Sequence, residues 1–399
     1  MEPEPYVILK SPVDPQSGSP VRGRSFDTVG PASLHVETAE VTSNAELRDI
    51  HKDPETLAAA PRMPLILVEP STRDADVTGD EEDTTWGVQA VKADISPFNG
   101  SGVTVAVLDT GIDADHPAFQ GVDVEQKDFT GEGDGDDNGH GTHCAATIFG
   151  QDVDGLRIGV ASGVSKALIG KVLGSGGGGS TEGIVQAVQW AINNGANVIS
   201  LSLGIDFPGM VKRLIEIHGF PAELATTKAL EAYRANINLF GSLATMAKAQ
   251  SSALGTAALL VAAAGNESRR DVNPNHQIAV APPAAAEGFY SVGALGKGVA
   301  GFEIAAFSNT GPNVSGPGVA VQSAKAGDTG LRPMSGTSMA TPHVAGVAAL
   351  WASRLLTTVG ALDNTALSAQ LVASGRQDKL SQGFDPFDVG TGMVQAPLS

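Results

Sequence analysis

Val105-Ala106-Val107-Leu108-Asp109-Thr110-Gly111-Ile112-Asp113 is the stretch on which the reading of this chain turns. Four apolar residues in succession fit a strand buried on both faces, as in a parallel sheet covered by helices. The run stops on a carboxylate, and an ionised group at the end of so apolar a segment needs a polar partner. An aspartate so placed is suited to hold an imidazole in one tautomer and to stabilise its cation. Taken alone, it is equally suited to cap the turn that follows.

Outward from this stretch, apolar β-type runs alternate with helical ones. Residues 103–108, 167–172, 198–203 and 259–264 read as strands. Residues 184–192 read as a helix, with Ser180 and Thr181 as its cap and Gly195 after it, and 339–350 as a second helix. Strands alternating with helices predict an α/β fold with a mostly parallel sheet, whose ligands lie at the carboxyl ends of the strands. The glycine-rich 174–180 is too short for a linker and reads as a loop within one domain.

Two further segments carry chemistry. In Asn138-Gly139-His140-Gly141-Thr142-His143, glycines on both sides of His140 allow close backbone approach and leave the ring accessible. An imidazole of pKa about 6.5 accepts and returns a proton near neutrality. His140 and His143 also have the spacing of a metal pair, although no further His/Cys/Glu cluster accompanies them. Gly336-Thr337-Ser338-Met339-Ala340 leads into a run of small residues suited to a tightly packed helix. A serine at such a helix start lies in a positive field beside free backbone N–H groups. On its own it would be a plain N-cap. Ala340 stands where a G-x-S-x-G elbow needs its second glycine, which excludes that scaffold.

With Asp109, His140 and Ser338 in that order, the chain resembles the subtilisin-like serine proteases (subtilases). The segments that carry the resemblance are VAVLDTGID (105–113), NGHGTHCA (138–145) and GTSMATPHVAG (336–346). It extends from about residue 86 to about residue 350. The resemblance implies a three-layer α/β fold with a mostly parallel sheet and cleavage of internal peptide bonds in polypeptide substrates, with no cofactor needed for the chemistry. Residue by residue, it makes Ser338 the nucleophile, His140 the general base and then acid, and Asp109 its orienting carboxylate. Ala262-Ala263-Ala264-Gly265-Asn266-Glu267 is similar to the oxyanion segment, with Asn266 as side-chain donor. Ser202-Leu203-Gly204 resembles the strand that pairs with substrate, and Gly177 and Gly178 belong to the facing strand, so that a peptide adds between two edges. His116, His143 and His343 fall at motif positions of structural type.

Three features depart from small relatives. The acidic loop DFTGEGDGDD (128–137) resembles a calcium loop, with Asp128, Asp134 and Asp136 as the expected oxygen ligands for a stabilising ion; a solvated loop is the alternative. An insertion at 206–254 carries Leu230, Tyr233, Ile237 and Phe240 at helical spacing and is expected to border the cleft as a lid or docking surface. Residues 1–70 form a small α+β region similar in its last strands to a pro-domain, an intramolecular inhibitor. An acidic linker, 71–83, with a processing site then leads to the catalytic domain, 84–399.

Composition bounds the rest. Forty-four acidic against 25 basic residues give a formal charge of −19, which repels phosphate backbones and anionic membranes, so neither nucleic acid nor membrane is an expected partner. No run approaches the roughly 18 apolar residues of a membrane span. Cys144 is the single cysteine, which excludes an intrachain disulfide. The first residues, MEPEPYVILK, lack the basic start and apolar run of a secretory signal, and on that basis a cytoplasmic location is expected, with secretion the alternative should a leader precede them.

Overall fold

In a computed structural model, which describes residues 4–11, 35–68 and 83–399, the first apolar run becomes β1 (Glu4–Lys10). It pairs antiparallel with β2 (His35–Val41) on one side and β3 (Thr56–Pro61) on the other. Helix α1 (Asn44–Lys52) starts at Ser43, whose hydroxyl accepts from the Glu46 N–H at 3.2 Å, an N-cap bond. Leu47 and Ile50 of α1 pack on Tyr6, Ile8, Val41 and Ala59. The other face of this sheet, with Val7, Leu9, Ala58 and Ala60, joins the apolar core of the rest of the chain. A short strand, β4 (Pro64–Leu67), then leaves this sheet for another. The expected processing linker 71–83 lies, except for Asp83, outside the described residues.

After α2 (Trp86–Ala90), the decisive stretch forms β5 (Thr104–Asp109), followed by β6 (Asp123–Asp128), α3 (His140–Phe149) and β7 (Lys166–Lys171). Next come β8 (Gly178–Ser180), α4 (Thr181–Asn193), β9 (Val198–Leu201) and β10 (Leu203–Ile205). Ser180 caps α4, accepting from the Gly183 N–H at 3.3 Å. The run 198–203, expected as one strand, is divided because its two halves serve different sheets. Val198–Leu201 pairs with β5, whereas Leu203–Ile205 pairs with β4.

The insertion also divides. It forms α5 (Phe207–Glu216) and α6 (Ala222–Ala253), separated where Gly219 takes φ +66° and Pro221 caps the second helix, and the expected helical face at 230–240 lies wholly in α6. The buried stripe of α6 runs through Ala225, Ala229, Ala232, Asn236, Leu239 and Phe240, leaving Leu230 40% exposed. Thus the predicted periodicity was right for Phe240 and wrong for Leu230.

The remaining strands are β11 (Leu259–Ala263), β12 (Phe289–Lys297), β13 (Phe302–Ile304), β14 (Val314–Pro317) and the hairpin β15 (Val321–Ala324) with β16 (Leu331–Met334). Helices α7 (Thr337–Thr358), α8 (Asn364–Ala373) and α9 (Pro386–Val389) follow. The main sheet has eight strands, in the order β13-β12-β11-β9-β5-β7-β6 with β14 beside β12. All its pairings are parallel except β12 with β13. Helices α3 and α7 share one core with one face of this sheet, and α4 and α6 share a second core with the other. The result is three layers of α/β type, as expected. Among the described residues no helix is long and apolar enough to cross a membrane.

Candidate active site

Asp109 ends β5, and His140 is the first residue of α3. Both side chains are buried, and His140 Nδ1–H donates to Asp109 Oδ1 at 2.8 Å. The turns that carry them touch backbone to backbone. A Cβ at Gly141 would come within 2.2 Å of the Gly111 carbonyl oxygen, so this contact requires glycine. Asp136 fastens the same turns. Its Oδ1 accepts from Thr110 Oγ1 and from Gly139 N, both at 2.8 Å, and its Oδ2 accepts from Thr142 N at 2.8 Å and Thr142 Oγ1 at 2.6 Å. One carboxylate therefore holds the neighbours of both Asp109 and His140.

Ser338 is the second residue of α7, buried, and its Oγ donates to the Val68 carbonyl at 3.0 Å. His140 Nε2 has no hydrogen-bond partner. Ser338 is thus turned to the carbonyl of an extended segment rather than to the imidazole. Asn266 Oδ1 accepts from both the N–H and the hydroxyl of Thr337 at 2.9 Å, which orients its amide with Nδ2 toward the turn of Ser338. A Cβ on Gly336 would stand 2.9 Å from that Nδ2.

The segment that reaches Ser338 is β4 and the residue after it. β4 lies antiparallel between β8 and β10, in register Leu65 with Gly179 and Ile205, and Ile66 with Gly178 and Gly204. Leu67 N–H donates to Gly177 O at 2.8 Å. Of the expected substrate-binding residues, Gly177 and Gly178 therefore flank one side of this strand, and Leu203 and Gly204 the other. Ser202 faces elsewhere: its Oγ donates to the Ser338 carbonyl at 3.3 Å, behind the helix start. Sequence reasoning missed the parts played by Val68, Leu65 and Asp136. The first two belong to a pairing over more than a hundred residues of chain, which no local pattern signals.

The expected calcium ligands are occupied by hydrogen bonds or lie apart from one another. Asp128 already accepts from Thr130 N, Thr130 Oγ1, Gly131 N and Gly133 N. Partial burial pushes its pKa up, but these bonds outweigh that and hold it down to about 2. The oxygens of Asp136 are spent in the same way. Among the described residues, Asp128, Asp134 and Asp136 do not converge closely enough to share one ion.

The histidine pair is not a metal pair either. His143 turns away from His140 and bonds the Val321 and Arg332 carbonyls at 3.0 and 3.2 Å. Burial, with the neighbouring His140 and Arg332 charges, pushes its pKa down to about 3. His343, bonded to the Met339 carbonyl at 2.8 Å, is lowered by burial to about 4. Cys144 lies one turn after His140, with Sγ 3.7 Å from its Nδ1 and 3.3 Å from the Ser338 carbonyl. Burial and the Asp109 charge raise its thiol well above the usual range.

A model of the subtilase family matches residues 100–385. A thermostable alkaline protease of Halalkalibacterium halodurans is 32% identical over 88% of this chain and 82% of its own. Subtilisin DY of Bacillus licheniformis is 32% identical over 77% of this chain and 96% of its own. A cuticle-degrading serine protease of Orbilia oligospora is 32% identical over 75% of this chain and 62% of its own. These relatives overturn the expected cytoplasmic location: a protease that degrades cuticle meets its substrate outside the cell, and the similar proteins are of this alkaline-protease kind. Polypeptides are the substrates of such enzymes, and their chemistry needs no cofactor. With three layers around a parallel sheet, an aspartate-held histidine and a serine at a helix start, this chain belongs to the subtilase family and is a subtilisin-type serine endopeptidase.

Proposed function

We propose that the chain cleaves internal peptide bonds through an acyl-enzyme on Ser338, and that it is made as a precursor which inhibits and then cuts itself at Val68–Glu69. The observation that carries this reading is the 3.0 Å hydrogen bond from Ser338 Oγ to the Val68 carbonyl, at the end of a strand paired on both sides. A carbonyl so held is that of the residue whose peptide bond is cut.

The chemistry follows from the groups present. Ser338 Oγ adds to the carbonyl carbon while its proton passes to His140 Nε2, which has no other partner. Asp109 holds His140 by Nδ1–H and stabilises the imidazolium that forms. The developing oxyanion is met by Asn266 and by the N-terminal field of α7. The imidazolium then gives its proton to the leaving amine, the C–N bond breaks, and a water activated by the same imidazole hydrolyses the ester. Protein substrates enter as β4 does, adding a strand between β8 and β10.

Self-inhibition rests on the same contacts. Leu65 and Leu67 are buried beside Leu203 and Ile205, so the segment stays in place as a product after the bond is cut. The bond lies just before the acidic linker in which processing was expected, and Glu69 itself is outside the described residues.

N-terminal sequencing of the purified protein beside Ser338→Ala tests this reading. The active protein should begin at Glu69. Ser338→Ala should remain a single uncut chain and lose casein hydrolysis by about 10⁶-fold, the size of loss established for subtilisin's own serine. Cutting of purified Ser338→Ala at the same bond would refute self-processing. A fully active chain that keeps residues 1–68 attached would refute self-inhibition.

A further inference from the structure

The contacts of the N-terminal segment do not stop at the strand between β8 and β10. One residue before β4, Met63 N–H donates to Thr181 Oγ1 and the Thr181 N–H donates to the Met63 carbonyl, each at 3.3 Å. Thr181 is the first residue of α4, whose opening N–H groups have no partner within the helix. Met63 itself is fully buried in the core that joins the N-terminal sheet, α4, α6 and the main sheet. Arg62 lies 3.8 Å from Glu182. Asn236, at the centre of the buried stripe of α6, donates from Nδ2 to the Pro61 carbonyl at 2.9 Å, and its fully buried Oδ1 has no partner.

Counted back from the Val68 carbonyl, these are the sixth, seventh and eighth residues of the segment that leads from β3 into β4, where Pro61 still closes β3 and Arg62 N–H donates to the Pro5 carbonyl at 2.7 Å. Two kinds of contact are mixed along it. The bonds to Met63 and Pro61 go to main-chain atoms, which any extended peptide offers. Only the Met63 pocket and the Glu182 carboxylate read side chains.

We infer that Thr181, Glu182 and Asn236 form a remote section of the substrate cleft, which binds the sixth to eighth residues before the cut bond and favours an apolar residue at the sixth and a basic one at the seventh. The insertion that supplies Asn236 thereby gives the enzyme a preference for long, extended protein segments over short peptides. This inference rests on the reading of Val68 as the residue at the cut bond. The pairing of α4 with Met63 continues the β8–β4 ladder in register, Pro64 facing Ser180 and Met63 facing Thr181, so an incoming chain that fills the first four positions is already aimed at it.

The test compares p-nitroanilides on the self-processed enzyme: Leu-Ile-Leu-Val, the full Pro-Arg-Met-Pro-Leu-Ile-Leu-Val, and the same octapeptide with Glu in place of Arg. Three added main-chain bonds and a buried side chain should raise kcat/KM of the octapeptide about tenfold or more over the tetrapeptide, mostly through KM. Glu for Arg should lower it about threefold, as suits a half-exposed ion pair. In Glu182→Arg the order of the two octapeptides should reverse. A length effect under twofold, with the tetrapeptide well cut, would overturn the remote section and leave the reading of Val68 standing. A tetrapeptide not cut after its valine would overturn the reading of Val68 itself.

Discussion

The eight-stranded sheet and the three-stranded sheet around β4 differ in what sets their register. In β5 every residue from Val105 to Asp109 is buried, and side chains on both faces lock its pairing with β7 and β9. In β8, Gly178 and Gly179 bring no side chain at all, and the strand is partly open to solvent. There the side chains come from the middle strand: Leu65 and Leu67 point inward and Ile66, 38% exposed, points out. The main sheet is therefore specified by its own sequence, whereas the cleft offers two backbone edges and lets the occupant supply the alternation. A surface of this kind accepts many sequences at one fixed register.

Acid should act on the first sheet more than on any single contact of the second. His143 and His343, in the helices packed on the main sheet, stay neutral to about pH 3 and 4, while the unfolded chain takes up those protons from about pH 6.5 downward. Between these values the unfolded state binds more protons, so stability falls as pH falls. At about 1.4 kcal/mol per unit this amounts to several kcal/mol, and the fall should begin near pH 6.5, above the carboxylate range. A melting temperature that is flat from pH 7 to pH 5 would break this part of the comparison.

Next in size, Asn266→Ala should lower kcat about 10²–10³-fold, the magnitude established for subtilisin's own donor, with little change in KM. An equal change in KM would make Asn266 a binding residue instead. Smaller again is the contrast within β4. Leu65→Ala removes a fully buried side chain, at a cost of roughly 2 kcal/mol or more. It should shorten the lag between self-cleavage and full activity about thirtyfold. Ile66→Ala, on the exposed side, should change that lag by about twofold at most. Equal effects at the two positions would mean that the occupant's alternation is not what the cleft reads.

How much of this was legible beforehand follows the same division. The turns of Asp109, His140 and Ser338 were readable because each is local: an apolar run ending in a carboxylate, glycines around an imidazole, a serine before small helical residues. The layers were readable from alternating strands and helices. The seat of β4 was not, because Pro64–Leu67 shows only an apolar strand and its partners lie far along the chain in glycines without side-chain pattern. The bonds of Asp136 were not legible for a related reason: an acidic loop looks alike whether its oxygens face an ion or face Thr110, Gly139 and Thr142. The break in the insertion lies at Gly219 and Pro221, outside the 230–240 stretch whose spacing was read.

Cys144 gives the molecule a use of its own. It is the chain's one thiol, fully buried between the Asp109–His140 pair and the start of α7. An alkylating reagent reaches it only when those elements separate, so its rate of modification times the opening of this region. The unaltered protein thus carries its own clock, with no engineered label, for how often the two turns that hold the site come apart.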